Sequence, residues 1–180
     1  MKSDTQVTAG GFVLAADEGQ AFWFLNTLTI NKVGGGDSQG RLSIVDHRVP
    51  AGFAPPPHIH QASDEALLVL DGEFEGFCGD QAWRAGPGSL VFMPSAVPHG
   101  FTVSDAAPGR AIIVASLGGL DQFVAAAGEP APELRLPVPG PPHTARRRSR
   151  HPDPAPARVL TGPKASACEA AYGSATRSAT

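Results

Sequence analysis

The chain has 180 residues and a mass of 18.5 kDa, with 42% hydrophobic and 17% charged residues, which fits one globular domain around one core. Its 21 glycines and 18 prolines leave little room for long helices, and a formal net charge of −3 gives no electrostatic reason to expect nucleic acid or an anionic membrane as partner. A membrane helix is excluded as well, because the uncharged apolar run from Ala111 to Leu120 stops after ten residues at Asp121, well short of about 18.

Residues 1–19 read as an N-terminal arm. They hold one early lysine, a short apolar patch from Gly11 to Ala16, then Asp17 and Glu18, which does not resemble a secretory signal, so a cytoplasmic protein is expected. From Ala21 to Val33 the sequence is aromatic and β-branched and predicts a strand, followed by a loop from Gly34 to Gly40. Arg41 to Val49 predicts a second strand, with Leu42 and Ile44 on one face and Ser43 and Val45 on the other, ended by Pro50. Pro55, Pro56 and Pro57, with fixed φ and no N–H groups, make a stiff extended lead-in to His58, Ile59 and His60.

Glu65 to Leu70 and Glu73 to Cys78 are apolar-rich runs joined by Asp71-Gly72, a pair suited to a two-residue hairpin turn. A strand around Trp83, another from Ser89 to Met93 ended by Pro94, and two more at His99 to Val103 and Arg110 to Leu117 follow. Leu120, Phe123, Val124 and Ala127 have helical spacing, predicting one short helix that Gly128 ends. At least seven short strands with many turns point to an antiparallel sandwich or barrel.

The last 44 residues differ from the rest. Residues 137–180 carry seven Lys/Arg against two Asp/Glu, eight prolines and Tyr172 as the sole aromatic, while all nine Phe and both Trp lie earlier. The core therefore belongs to residues 20–136, and 137–180 is expected to be a disordered tail. Arg146, Arg147, Arg148 and Arg150 have no interleaved aromatics and read as tail rather than as a nucleic-acid patch. Cys78 and Cys168 match neither a disulfide framework nor a zinc spacing, and Cys78 is expected in the core.

The chemistry concentrates in four residues. In an extended chain residues two apart point the same way, so His58 and His60 present both imidazoles to one side. Glu65 opens the next strand, with Leu67 and Val69 in phase with it, and His99 opens a later strand, with Phe101 in phase. Three imidazoles and a carboxylate, with positions left open and no thiolate, suit Fe, Ni, Mn, Co or Zn. His47 and His143 fall outside this pattern and read as surface residues, and His151 belongs to the tail. Asp46 and Asp64 are neighbours that would orient a histidine if buried, but a solvated position is expected for both. Phe53, Phe77, Phe92, Phe101, Trp23 and Trp83 are candidates for an aromatic-substrate pocket but core by default, and strand parity with Glu65 and His99 makes Leu67, Val69 and Phe101 the best candidates for its wall.

With these residues in view, the chain resembles the cupin family. Gly52, His58, His60, Glu65 and Gly72 stand at the spacing of the first cupin motif, and Gly88, Pro94 and His99 at that of the second. Ala96 stands where the family usually has glycine, and Val103 where asparagine is frequent. The resemblance implies an all-β jelly-roll (double-stranded β-helix) barrel with one short C-terminal helix over roughly residues 20–127, and one divalent metal held by His58, His60, Glu65 and His99.

A looser likeness, in the APPPHIH, DEALLVLDGE, AGPGSLVFMPSAVPHGF and LGGLDQFVAAAGEPAPE segments, is to small bacterial cupins grouped with quercetin 2,3-dioxygenase. That likeness implies a metal-held flavonol whose 3-hydroxyl proton goes to the glutamate ligand, here Glu65 as ligand and base, before oxygen attacks and the ring opens with loss of carbon monoxide. The partners it implies are a small aromatic or enolisable substrate and dioxygen. Two other outcomes compete: oxygen-independent isomerase, cyclase or lyase chemistry on the same ligands, and a binding protein without turnover. A homodimer is expected, with the strand at residues 21–30 as the edge to be covered.

Overall fold

The computed structural model describes residues 10–138. His143, Arg146 to Arg150, His151, Cys168 and Tyr172 lie outside the described residues, as does the expectation of a disordered tail from residue 139 onward.

Ten strands and one helix follow in chain order: β1 (Gln20–Phe24), β2 (Thr27–Val33), β3 (Leu42–Val49), β4 (Glu65–Asp71), β5 (Phe74–Cys78), β6 (Gln81–Ala85), β7 (Leu90–Met93), β8 (His99–Val103), β9 (Gly109–Ser116), α1 (Leu120–Ala127) and β10 (Glu129–Pro130). They form a seven-stranded sheet in the order β10-β1-β2-β3-β9-β4-β7 and a three-stranded sheet in the order β6-β5-β8, all pairs antiparallel. The two inner faces meet in one core, where Val45, Val49, Leu67 and Val69 of the large sheet pack with Phe74, Phe101 and Val103 of the small one. Strand β9 shows how alternation builds it: Ala111, Ile113 and Ala115 are buried and the residues between them are not.

The helix lies where its spacing predicts. Val124 is buried, Phe123 meets Phe24 edge-on at 5.4 Å between ring centres, and the Gly128 N–H donates to the Val124 carbonyl at 2.8 Å. Ser43 Oγ donates to Asp121 Oδ1 at 2.7 Å, which ties α1 to β3. No helix among the described residues is long and apolar enough to cross a membrane.

Two expectations change. The run Ala21 to Val33 is a hairpin rather than one strand, because Leu25 (φ 48°) and Asn26 (φ 64°) both adopt left-handed conformations and turn the chain between β1 and β2. No glycine announces that turn; two consecutive left-handed residues are what a twist-compatible two-residue loop requires. The Asp71-Gly72 pair, by contrast, does not make a hairpin: β4 pairs with β7 and β9, β5 with β6 and β8, so this turn carries the chain from one sheet to the other. Gly72 still needs to be glycine. At φ 80° its backbone lies so close to the 108–109 strand entry that an added Cβ would stand 2.8 Å from Pro108 O and from Gly109 Cα.

Candidate metal centre

The four residues singled out by spacing come together at one place between the sheets. Pro50 ends β3, and residues 51–64 run back across the barrel without regular pairing except at His58, which forms a single antiparallel bridge with His99 at the start of β8. The proline strap explains this: Pro55 to Pro57 offer no N–H, so the first available donor, His58 N–H, bonds the His99 carbonyl at 3.0 Å and is answered by His99 N–H on the His58 carbonyl at 3.0 Å. The His60 carbonyl in turn accepts from Ala96 N–H at 2.8 Å. Glu65 enters from the opposite sheet as the first residue of β4, in register with Met93 on one side and Ala115 on the other.

One ligand-type atom from each of His58, His60, Glu65 and His99 can be chosen so that all lie within 4.8 Å of one another. The imidazole centres of His58 lie 4.9 Å from His60 and 4.6 Å from His99, and His60 and His99 are 5.3 Å apart. His60 Nε2 is 3.0 Å from Glu65 Oε2. Backbone carbonyls set the ring orientations: His58 Nδ1 bonds Pro56 O at 3.0 Å, and His99 Nδ1 bonds Val97 O at 2.9 Å. A carbonyl only accepts, so each Nδ1 carries the proton, and in the neutral ring the Nε2 lone pair is left for another partner.

Electrostatics match that arrangement. Burial disfavours the ionised carboxylate of Glu65, but the hydrogen bond from His60 and the electrostatic attraction of the neighbouring imidazoles outweigh it and hold the group below its ordinary range. Burial likewise pushes the His99 imidazole down, with the Val97 carbonyl opposing, and favours the neutral ring. His99 Nε2 is a buried nitrogen without a hydrogen-bond partner. Leaving such a group bare costs about 1–3 kcal/mol, and a metal ion is the partner that an imidazole lone pair facing two imidazoles and a carboxylate suits. The donor set therefore fits a divalent transition metal, with His60 as the accessible side: its side chain is 35% exposed against 8% for Glu65.

Leu67 and Val69 follow Glu65 on the inner face of β4, and Phe101 follows His99 on that of β8; all three are enclosed in the core at 0%, 0% and 6% exposure. Other positions differ from the expectation. His47 is not a surface residue: it points inward between Val45 and Val49, shares a 3.0 Å hydrogen bond with Thr29 Oγ1 through Nδ1, and meets Phe53 edge-on at 5.9 Å. Phe53 continues to Phe101 at 6.1 Å, so an aromatic chain links His47 to the strand that carries His99. Strand parity with Val45 was the signal for it. Asp46 is not solvated either: it is fully buried, receiving Arg110 Nε at 3.0 Å and Nη2 at 2.8 Å and Arg48 Nη2 at 3.1 Å. Asp64 is half-buried and accepts from Ser95 N–H at 2.8 Å, steadying the loop between β7 and β8 rather than touching a histidine ring. Phe92 leaves the core entirely and is 58% exposed.

The two departures from the motif also have visible consequences. Ala96 stands in the left-handed region at φ 61°, the conformation that glycine adopts without strain. Val103 is fully buried in the core, so a polar side chain has no place there.

Residues 45–115 match a family model described as cupin domain. Among solved structures, that of KdgF from Halomonas sp. aligns with a TM-score of 0.53 and 19% identity, covering 63% of this chain and 98% of that one. A "predicted oxalate decarboxylase" from Thermotoga maritima aligns with a TM-score of 0.53 and 16% identity, covering 59% of this chain and 99% of that one. No curated protein matches the chain. Likenesses at this identity are likenesses of fold, and the fold is a cupin jelly roll with one short helix among the described residues.

Proposed function

We propose that this cupin-fold chain is a mononuclear-metal dioxygenase acting on a small aromatic or enolisable molecule, with quercetin (flavonol) 2,3-cleavage as the nearest chemistry. The observation that supports it is the convergence of three imidazoles and one carboxylate, with the buried His99 Nε2 lacking any protein partner. One Fe, Ni, Mn, Co or Zn ion would be held by His58, His60, Glu65 and His99, and would supply Lewis acidity toward the substrate.

The chain's own groups do the rest in this reading. Glu65 takes the proton of the substrate hydroxyl, a role suited to a carboxylate that the neighbouring histidines keep ionised despite its burial. His60, 3.0 Å away, steadies the carboxylate. Substrate enters from the half-exposed His58 and His60 side, and Leu67, Val69 and Phe101 form the apolar wall that keeps water from the reacting atoms.

The test begins with metal analysis of wild type and His60→Ala, then oxygen uptake over a flavonol panel by the metal-loaded protein. Oxygen consumed in step with substrate loss, and absent in His60→Ala, supports the reading. Turnover without oxygen moves the protein to isomerase, cyclase or lyase chemistry, and ligand binding without turnover to a binding role. Absence of metal after reconstitution with each candidate ion sinks all metal-dependent versions.

A further inference from the structure

The inner face of the large sheet is not closed evenly. Val49, Leu67, Val69, Met93 and Ala111 are sealed at 0%, whereas Glu65, Ala115, Ile113 and His47 on the large sheet and Phe101 on the small one each keep 6–8% of their surface open. The open positions are not scattered. Ala115 stands beside Glu65 in the register of β9 and β4, Ile113 is the next residue on the same face of β9, and His47, paired with Ala111, is the diagonal neighbour of Ile113. Phe101 and the half-buried Phe53 lie across from them with ring centres 6.1 Å apart, and His47 meets Phe53 at 5.9 Å. Together they outline a narrow slot between the sheets, with Glu65 at one end and His47 at the other.

A histidine is an unexpected residue at that place. Val45 and Val49 flank it on the same face, both in the core, and a polar group buried among such neighbours costs about 1–3 kcal/mol if its hydrogen bond is left unmade. Thr29 Oγ1 serves Nδ1 at 3.0 Å, and with Phe53 edge-on against the ring its orientation is set. Among the described residues no hydrogen bond reaches Nε2, and unlike His99 Nε2 this nitrogen is not sealed. The ring therefore offers one free, oriented nitrogen to the slot. The charge of Glu65 acts on it, so the two ends of the slot lie within electrostatic reach of each other.

Resting on the flavonol-type reading above, we infer that His47 is a substrate-recognition residue: its Nε2 takes a hydroxyl of a flat, elongated aromatic substrate, at the end remote from the metal-chelating end. A hydroxyl is favoured because it both donates and accepts, and so satisfies Nε2 in whichever tautomer the Thr29 contact selects; a carbonyl or an ether only accepts. A flat ring is favoured because Phe53 and Phe101 line the slot opposite β3 and β9, and aromatic rings pack on one another offset or edge-on. His47 moves no proton in this role and sets only which substrate binds.

Binding of two probes to the metal-loaded full chain under nitrogen, where no oxygen is present to drive turnover, tests the inference. 3-Hydroxyflavone carries the chelating unit alone, and quercetin carries it with hydroxyls on the outer rings. Fluorescence titration of the wild type is expected to give at least about tenfold tighter binding of quercetin. His47→Leu brings the ratio of the two dissociation constants close to one, with metal content and the 3-hydroxyflavone constant unchanged. Thr29→Val, a near-isosteric change that removes the anchor of the ring, lowers the ratio as well and decides the matter should the leucine variant not fold. Equal binding of the two probes by the wild type, or a ratio that survives these substitutions, overturns the assignment of His47 and leaves the flavonol reading standing. A wild type that binds neither probe sinks both.

Discussion

His58 and His99 exchange both of their backbone hydrogen bonds, each 3.0 Å long, so the two imidazoles are held together by main chain and not by each other. Removing one ring therefore leaves the bridge standing. His99→Ala is expected to lower metal affinity at least about 100-fold, since losing even a group that only hydrogen-bonds a metal ligand costs about 10–100-fold. The far-UV circular dichroism spectrum is expected to stay as it is. Elemental analysis of both proteins after identical reconstitution checks it; equal metal content in the two would remove His99 from the ligand set.

Ala96 carries a left-handed backbone at φ 61° while its N–H holds the His60 carbonyl at 2.8 Å. An alanine there costs on the order of 1 kcal/mol relative to glycine. Ala96→Gly is expected to raise stability by about that amount in urea denaturation and to leave the metal content unchanged. A destabilised Ala96→Gly would mean that the turn is not held left-handed in solution.

His47 makes stability depend on pH. Burial pushes its pKa down to about 4, against Glu65 and Asp46, which raise it. In the unfolded chain it titrates near 6.5, so between about 6.5 and 4 the unfolded state binds the extra proton and stability falls with acidification. The full difference is about 3 kcal/mol, and most of it is lost by about pH 4.5. In metal-stripped protein, where ligand protonation by metal release plays no part, His47→Gln is expected to lose less stability than wild type between pH 7 and 4.5. Parallel pH profiles for the two proteins would show that His47 is not buried as a neutral ring.

Asp46 sits fully buried between Arg48 and Arg110, whose side chains are 22% and 36% exposed. Burial raises its pKa, but the hydrogen bonds from Arg110 and Arg48 more than offset this and hold it below the ordinary carboxylate range, so its contribution is present at neutral pH and is lost only as pH falls through that lowered value. Removing one partner of a buried pair costs about 3–5 kcal/mol, and hydration of the partly exposed arginines reduces this to about 2–3 kcal/mol for Asp46→Ala. In a double-mutant cycle with Arg110→Ala, the double variant is expected to lose less stability than the two single variants combined, and strict additivity would argue against the pair.

Local signals decided a good deal on their own. Proline and glycine positions bounded β7 and α1, because a missing N–H or a freed φ acts within a residue or two, whatever the rest of the chain does. The spacing of His58, His60, Glu65 and His99 picked out the group that the fold gathers within 4.8 Å.

What the sequence by itself left open was decided by long-range packing. Asp71-Gly72 satisfies the chemistry of a hairpin, yet its flanking strands join different sheets, because a turn's dihedrals do not choose the partner of a strand. Alternation in β3 separates Ser43, Val45 and His47 from Ile44 and Asp46 but does not say which set faces the core; here the outer set is partly buried too, since residues 15–19 cross over it. The apolar rows on β4 and β7 read as core from composition alone. Only the finished barrel, with its single interior already filled by Leu67, Val69 and their neighbours, turns Leu90 and Phe92 outward.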